Sequence, residues 1–304
     1  MDVVLHIGAH RTASSALQHH LSRNRSKLAE AGVVYWGPKI TRGGLFRGAI
    51  GGVEGALPWQ ERRFGKRCAL RAEAVRQTGA THLMISDENM VGSLRGALEF
   101  TRLYSDAGRR IASYAHGFKT HRMTVALCIR DYADWWVSAM AFRLPRGGPL
   151  PRTQARERLV TQPRRWRHVV EDLAQALPDA RLVVWSYEAS AHALPTLVGD
   201  LTGVASADDR AGPRNLRPTA ADLHDLMDAC DIDPDMFHWP DGQFMPFTVH
   251  ETEALRAQYQ EDLAWLRAGA RGFADYIDAP SAQTEAPTDL GRGNPDDGEH
   301  RQLA

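Results

Sequence analysis

Along the chain, short apolar runs alternate with longer stretches in which apolar residues recur every three or four positions. That alternation predicts a parallel β-sheet covered by helices, an α/β fold in three layers. Residues 2–7 are apolar on both faces, as a strand buried between two helical layers must be. Similar runs at 33–36, 81–86, 124–129 and 181–185 predict four further strands. Residues 14–31 place Leu17, Leu21 and Leu28 on one helical face and end at Gly32. Helical spacing also runs through the arginine-rich stretch 59–77 and through Tyr132, Trp135, Trp136, Ala139 and Met140. It returns at 164–177, 220–229 and 250–267.

Breakers interrupt this pattern twice. Residues 37–58 carry seven glycines and two prolines, too many for a regular element, and 144–152 reads LPRGGPLPR. Such loops in a compact domain are lids, binding loops or disordered segments. From 279 onward the chain is rich in Pro, Asp, Gly and Gln and has no aromatic residue, which predicts a disordered tail after a single domain at 1–278.

Composition narrows the function little. Among 304 residues, 37 basic and 37 acidic side chains balance, which argues against a protein that grips nucleic acid by bulk charge yet allows a local basic pocket. All but four of the basic residues are arginine. Codon usage accounts for that excess as a whole, so the guanidinium fork matters only at particular positions. Cys68, Cys128 and Cys230 are far apart and form no CxxC pair, as expected in a reducing compartment. The apolar run 123–129 is far too short for a membrane span, and no signal-peptide pattern opens the chain. A soluble cytoplasmic protein of undefined oligomeric state is expected.

The informative segment is HIGAHRTASSALQ, residues 6–18. A strand ends, Gly8 permits a sharp turn, and small hydroxyl residues open a helix. That arrangement aims backbone N–H groups and the positive end of the helix dipole at one point, a site for an anion. Thr12, Ser14 and Ser15 can add hydroxyl donors, Arg11 a forked cation, and His10 a further contact. Ser14 or Ser15 acting only as a helix cap is the plainer alternative. A nucleoside-triphosphate loop needs GxxxxGK[ST], and here Ala13-Ser14 stands where Gly-Lys would be. The cation lies earlier, at Arg11.

Arg11-Thr12-Ala13-Ser14-Ser15 resembles the 5′-phosphosulfate loop of sulfotransferases, [KR][TS][GA][TS][TS], with Arg for the commoner Lys and Ala for the commoner Gly. A second segment, CIRDYADWWVSAM, sets Arg130 eight residues before Ser138. It is similar to the family's strand-end arginine and helix serine, which hold the 3′-phosphate of the cofactor. Later blocks, RLVVWSYE at 181–188 and residues 247–263, extend the resemblance over 1–266. Ala16 stands where cytosolic small-molecule enzymes carry an adenine-stacking tryptophan, so the likeness is to the bacterial, carbohydrate-type branch.

The resemblance implies a P-loop-like fold and transfer of a sulfuryl group from 3′-phosphoadenosine 5′-phosphosulfate (PAPS) to a hydroxyl, of carbohydrate type, with no metal required. It further implies that His10, Arg11, Thr12, Ala13, Ser14, Ser15, Arg130 and Ser138 bind PAPS, and that Arg11 stabilises the leaving oxygen. Glu88, after the third strand in Ser86-Asp87-Glu88-Asn89, fits the place of the family's general base. Two alternatives stay open. Asp87-Glu88 also matches the strand end of a Mg²⁺-dependent kinase or NTPase, and the departures at Arg11 and Ala13 allow a nucleotide binder without catalysis. His116 and His121 are further candidates for the base. His6 reads as a satisfied core histidine, and Trp135-Trp136 as core. Arg164-Arg165-Trp166-Arg167-His168 reads as a solvated helix face or as a surface for an anionic acceptor, and Arg214-Asn215 as a loop returning toward the cofactor.

Overall fold

A computed structural model of the chain describes residues 1–49, 57–148, 153–190, 193–205, 218–229, 232–234 and 237–278. Six strands form one wholly parallel sheet: β1 (Asp2–His6), β2 (Val33–Trp36), β3 (His82–Ser86), β4 (Arg122–Ile129), β5 (Arg181–Ser186) and β6 (Asp275–Ile277). Their spatial order is β2-β3-β1-β4-β5-β6. The first five strands are those that the apolar runs predict. The sixth, only three residues long, lacks such a run.

Helices α1 (Ser14–Arg23), α2 (Arg25–Glu30), α3 (Pro38–Ile40) and α4 (Pro58–Gln77) lie between β1 and β3. Between β3 and β5 come α5 (Leu94–Glu99), α6 (Ala107–Ala115), α7 (Tyr132–Arg143), α8 (Thr153–Thr161) and α9 (Trp166–Ala176). The remaining helices are α10 (Tyr187–Ser190), α11 (Leu194–Thr202), α12 (Ala220–Asp228) and α13 (Val249–Arg267). The expected single helix at 14–31 is divided at Asn24, whose side-chain amide donates to the carbonyl of His20 at 3.1 Å and competes with the helical ladder. Of the expected loop at 37–58, residues 50–56 lie outside the described residues. Residues 38–45 make α3 and one wide helical turn, Thr41–Leu45.

Alternation along the strands builds two cores. Val4, Met84, Ala126, Cys128 and Val183 face Leu17, Leu21 and Leu28 and, from α11, Leu197 and Val198. Val3, Leu5, Leu83, Ile85, Val125, Leu127 and Val184 face the larger layer, which holds Trp135, Trp136 and Trp166, all fully buried. The two tryptophans of α7 are core, as their spacing predicts, with rings crossing edge to face at 4.6 Å. No helix among the described residues is long and apolar enough to cross a membrane.

One polar knot ties this layer together. Asp262 of α13 is wholly buried, accepts from Tyr132 Oη at 2.5 Å and is paired with Arg167. The same Tyr132 hydroxyl accepts from the backbone N–H of Trp166. Thus α7, α9 and α13 meet on a carboxylate whose charge is matched by Arg167. Removing one member of a buried pair strands the other, at about 3–5 kcal/mol. Asp262→Ala should lower unfolding stability by about that amount in urea titrations. A loss below about 1 kcal/mol would contradict the knot's role.

Candidate functional site

Because every strand runs the same way, all carboxyl ends reach one edge of the sheet. The connections of β1 and β4 leave in opposite directions there, the place where open α/β sheets bind ligands. Each segment of interest follows directly from a strand end: 8–15 from β1, 37–42 from β2, 87–89 from β3, 130–131 from β4 and 187–188 from β5.

The loop after β1 is pinned from several sides. Thr12 Oγ1 and Ser14 Oγ both donate to the carbonyl of Ala9, at 2.7 and 2.9 Å. The indole N–H of Trp135 donates to the carbonyl of His10 at 2.7 Å. The two hydroxyls therefore point their protons into the loop. The backbone N–H groups of Thr12, Ala13 and Ser14 donate to nothing among the described residues. Ala13 is the N-cap of α1, in the left-handed region at φ 61°, so neither serine is the N-cap. Arg11 is left-handed too, at φ 63°. For an alanine this conformation costs about 1–2 kcal/mol, strain that a glycine would avoid. Gly8 is required for another reason. At φ 103° it passes so near β3 that an added Cβ would lie 2.9 Å from that of Glu88.

The two arginines singled out in the sequence meet at this loop. Arg11 Nε donates to Ser138 Oγ at 2.9 Å, and its guanidinium lies 4.7 Å from the centre of the Phe142 ring. Arg130 Nη1 donates to the carbonyl of Arg11 at 2.8 Å, while its guanidinium stacks 4.4 Å above Tyr187. The buried Nε of Arg130 has no hydrogen-bond partner among the described residues. Asp131 caps α7 by accepting from Asp134 N at 3.1 Å, and Ser138 is buried rather than a surface serine. Behind them Glu188 accepts from the backbone N–H of Asp131 at 2.9 Å and from Tyr259 Oη at 2.7 Å. A narrow cleft, little more than water-sized, opens beside the loop, lined by His6, Ala13, Leu17, Trp185, Tyr187 and Leu194 among others.

On the β3 side the charge is reversed. Glu88 Oε2 accepts from Gln18 Nε2 at 2.7 Å, and Oε1 from Arg42 Nη2 at 2.9 Å. Burial raises the proton affinity of Glu88, but the charge of Arg42 and hydrogen bonds from its own backbone N–H, Gln18 and Arg42 outweigh it, so its pKa falls below the ordinary value. Asp87 accepts from Thr41 Oγ1 at 2.6 Å and from Arg42 Nη2 at 2.7 Å. His10 sits between the two sides. Its Nδ1 is 3.0 Å from Tyr104 Oη, and the Asn89 amide, turned so that its oxygen accepts from Arg42, donates to Nε2 at 3.2 Å. Burial lowers the pKa of His10 despite Glu88 nearby, so the ring is neutral at pH 7.

Other candidates lie elsewhere. His121 immediately precedes β4, at the opposite edge of the sheet, and His116 is an exposed residue packed on Gly65 of α4. The 164–168 segment is tied into the fold and is not a freely solvated face. Arg164 is buried, donating to the carbonyls of Leu103 and Tyr104 and to Asp172, while Arg165 and Arg167 pair with α13. Arg214 and Asn215 are outside the described residues. Ser15 is half-buried at the start of α1. The sequence left Arg42, Gln18, Asn89, Tyr104 and Tyr187 unassigned. Arg42 is one of many arginines and lies in no motif, and only Gln18 has a signal, its place one turn beyond the loop.

No family model matches the chain, and no curated protein matches it.

His6, as expected, is a satisfied core residue: Nδ1 lies 2.7 Å from Ser86 Oγ and the ring stacks on Trp185. Burial lowers its pKa from 6.5 to about 4, Glu88 opposing the shift only in part. The unfolded chain therefore binds a proton that the folded one refuses. Stability is complete above pH 6.5 and is lost as pH falls toward about 4, by about 3 kcal/mol from this group. His6→Asn should flatten that part of the stability–pH curve. An equal slope in both proteins would show that His6 is not held neutral.

Proposed function

We propose that the protein is a PAPS-dependent sulfotransferase acting on a hydroxyl acceptor, of carbohydrate type. The observation that carries this reading is the hydrogen bond from Arg11 to Ser138, together with Arg130 on the carbonyl of Arg11. Two motifs 119 residues apart, each resembling one half of a phosphosulfate nucleotide site, meet at one loop. The partnerless Nε of Arg130 supports the same reading, because a phosphate oxygen is the acceptor it needs.

Sulfuryl transfer is an in-line displacement. The acceptor oxygen bonds to sulfur, the bond from sulfur to the 5′-phosphate oxygen breaks, and 3′-phosphoadenosine 5′-phosphate leaves. The protein must hold the donor, neutralise the leaving oxygens and remove the acceptor proton. In this assignment the loop N–H groups and Arg11 serve the leaving group, and Arg130 with Ser138 holds the 3′-phosphate. Glu88, ionised at neutral pH, takes the proton. Arg42 argues against the Mg²⁺-dependent alternative, since its guanidinium occupies the carboxylates that would hold the metal.

Arg130→Ala should weaken 3′-phosphoadenosine 5′-phosphate at least tenfold more than AMP in calorimetric titrations, because only the former carries the 3′-phosphate. Equal losses would refute the role of Arg130. Glu88→Gln should reduce transfer from labelled PAPS by about 10²–10⁴-fold with donor affinity nearly intact. Unchanged turnover would place the base elsewhere.

A further inference from the structure

Arg42 reaches from the turn after β2 across the end of β3 and meets two carboxylates at once. Nη2 lies 2.7 Å from Asp87 Oδ1 and 2.9 Å from Glu88 Oε1, and Nε is 3.2 Å from both Asp87 oxygens. Asp87 is the anchor. It is buried, and it also accepts from Thr41 Oγ1 at 2.6 Å and from the backbone N–H of Asn89 at 3.1 Å. The guanidinium is thus fixed on its Asp87 edge, shares Nη2 with Glu88 and also donates to the turned Asn89 amide oxygen.

Resting on the sulfuryl-transfer reading, we infer that Arg42 is a positioning residue that fixes the Glu88 carboxylate and supplies the positive charge beside it. Each carboxylate oxygen has two lone-pair positions. Arg42 takes one on Oε1 and Gln18 one on Oε2, which orients the group, and with the bond from its own backbone N–H one position remains for an acceptor hydroxyl. The ionisable groups facing Glu88 are Arg42 from the turn after β2, Asp87 from its own segment, His6 of β1, His10 of the next loop, Tyr35 of β2 and Tyr104. Burial keeps both histidines neutral and raises the hydroxyls of Tyr35 and Tyr104 far above neutrality, so the positive charge facing Glu88 comes from Arg42. The lowered pKa of Glu88 accords with this geometry.

The test follows the Glu88 carboxyl by ¹³C NMR titration in the full chain, with Glu88→Gln identifying the resonance. Arg42→Gln should raise its midpoint by about one unit or more, and Arg42→Lys should restore most of the difference. Melting curves establish that both variants are folded. The acid limb of kcat/KM for transfer should move with the midpoint, while KM for PAPS stays constant. An unmoved midpoint in Arg42→Gln overturns the inference. A moved midpoint with an unmoved acid limb, or with no transfer in the wild type, upholds the hold of Arg42 on Glu88 and sinks Glu88 as base.

Discussion

A wholly parallel sheet gathers every strand's carboxyl end on one edge, and the site depends on that constraint before any single side chain. Antiparallel neighbours would send half of these segments to the far edge. Here five strand ends converge around the loop after β1, which sits at the point where the connections diverge. The loop is held by bonds that its own sequence and α7 supply, chiefly to the carbonyls of Ala9 and His10. The buried Trp135 therefore serves two ends: it fills the core, and its indole N–H fixes the loop that shapes the site.

Charge is divided across that loop. Arg11 and Arg130 lie toward β4 and β5, against Phe142 and Tyr187, while Asp87 and Glu88 lie toward β3 and are bridged by Arg42. A doubly anionic donor on one side and a hydroxyl losing a proton on the other would suit this division. The zero net charge of the chain conceals it, since opposite charges on two sides of one loop cancel in the total.

The sequence revealed what is local and hid what is not. Five strands were legible because burial on both faces leaves unbroken apolar runs, whereas Asp275-Tyr276-Ile277 carries only one aliphatic residue. The break at Asn24 depends on a side-chain bond that periodicity does not register. In the site, the loop after β1 and the Arg130–Ser138 spacing were readable because each lies within one strand–turn–helix segment. Arg42 was not, since its partners are 45 and 46 residues away and meet it only when β2 and β3 pair. The same holds for Arg164, a cation on paper in a basic run, but in the fold a buried clamp on the carbonyls of Leu103 and Tyr104.

Under the proposed function, this edge of the sheet binds a nucleotide carrying both a 5′- and a 3′-anion. The most direct measurement compares the melting temperature of the full chain with 3′-phosphoadenosine 5′-phosphate and with ATP in the presence of Mg²⁺. A ligand that binds only the native state must raise it, by an amount set by affinity. A clearly larger rise with 3′-phosphoadenosine 5′-phosphate supports the assignment. A larger rise with Mg·ATP, or none with either, contradicts it.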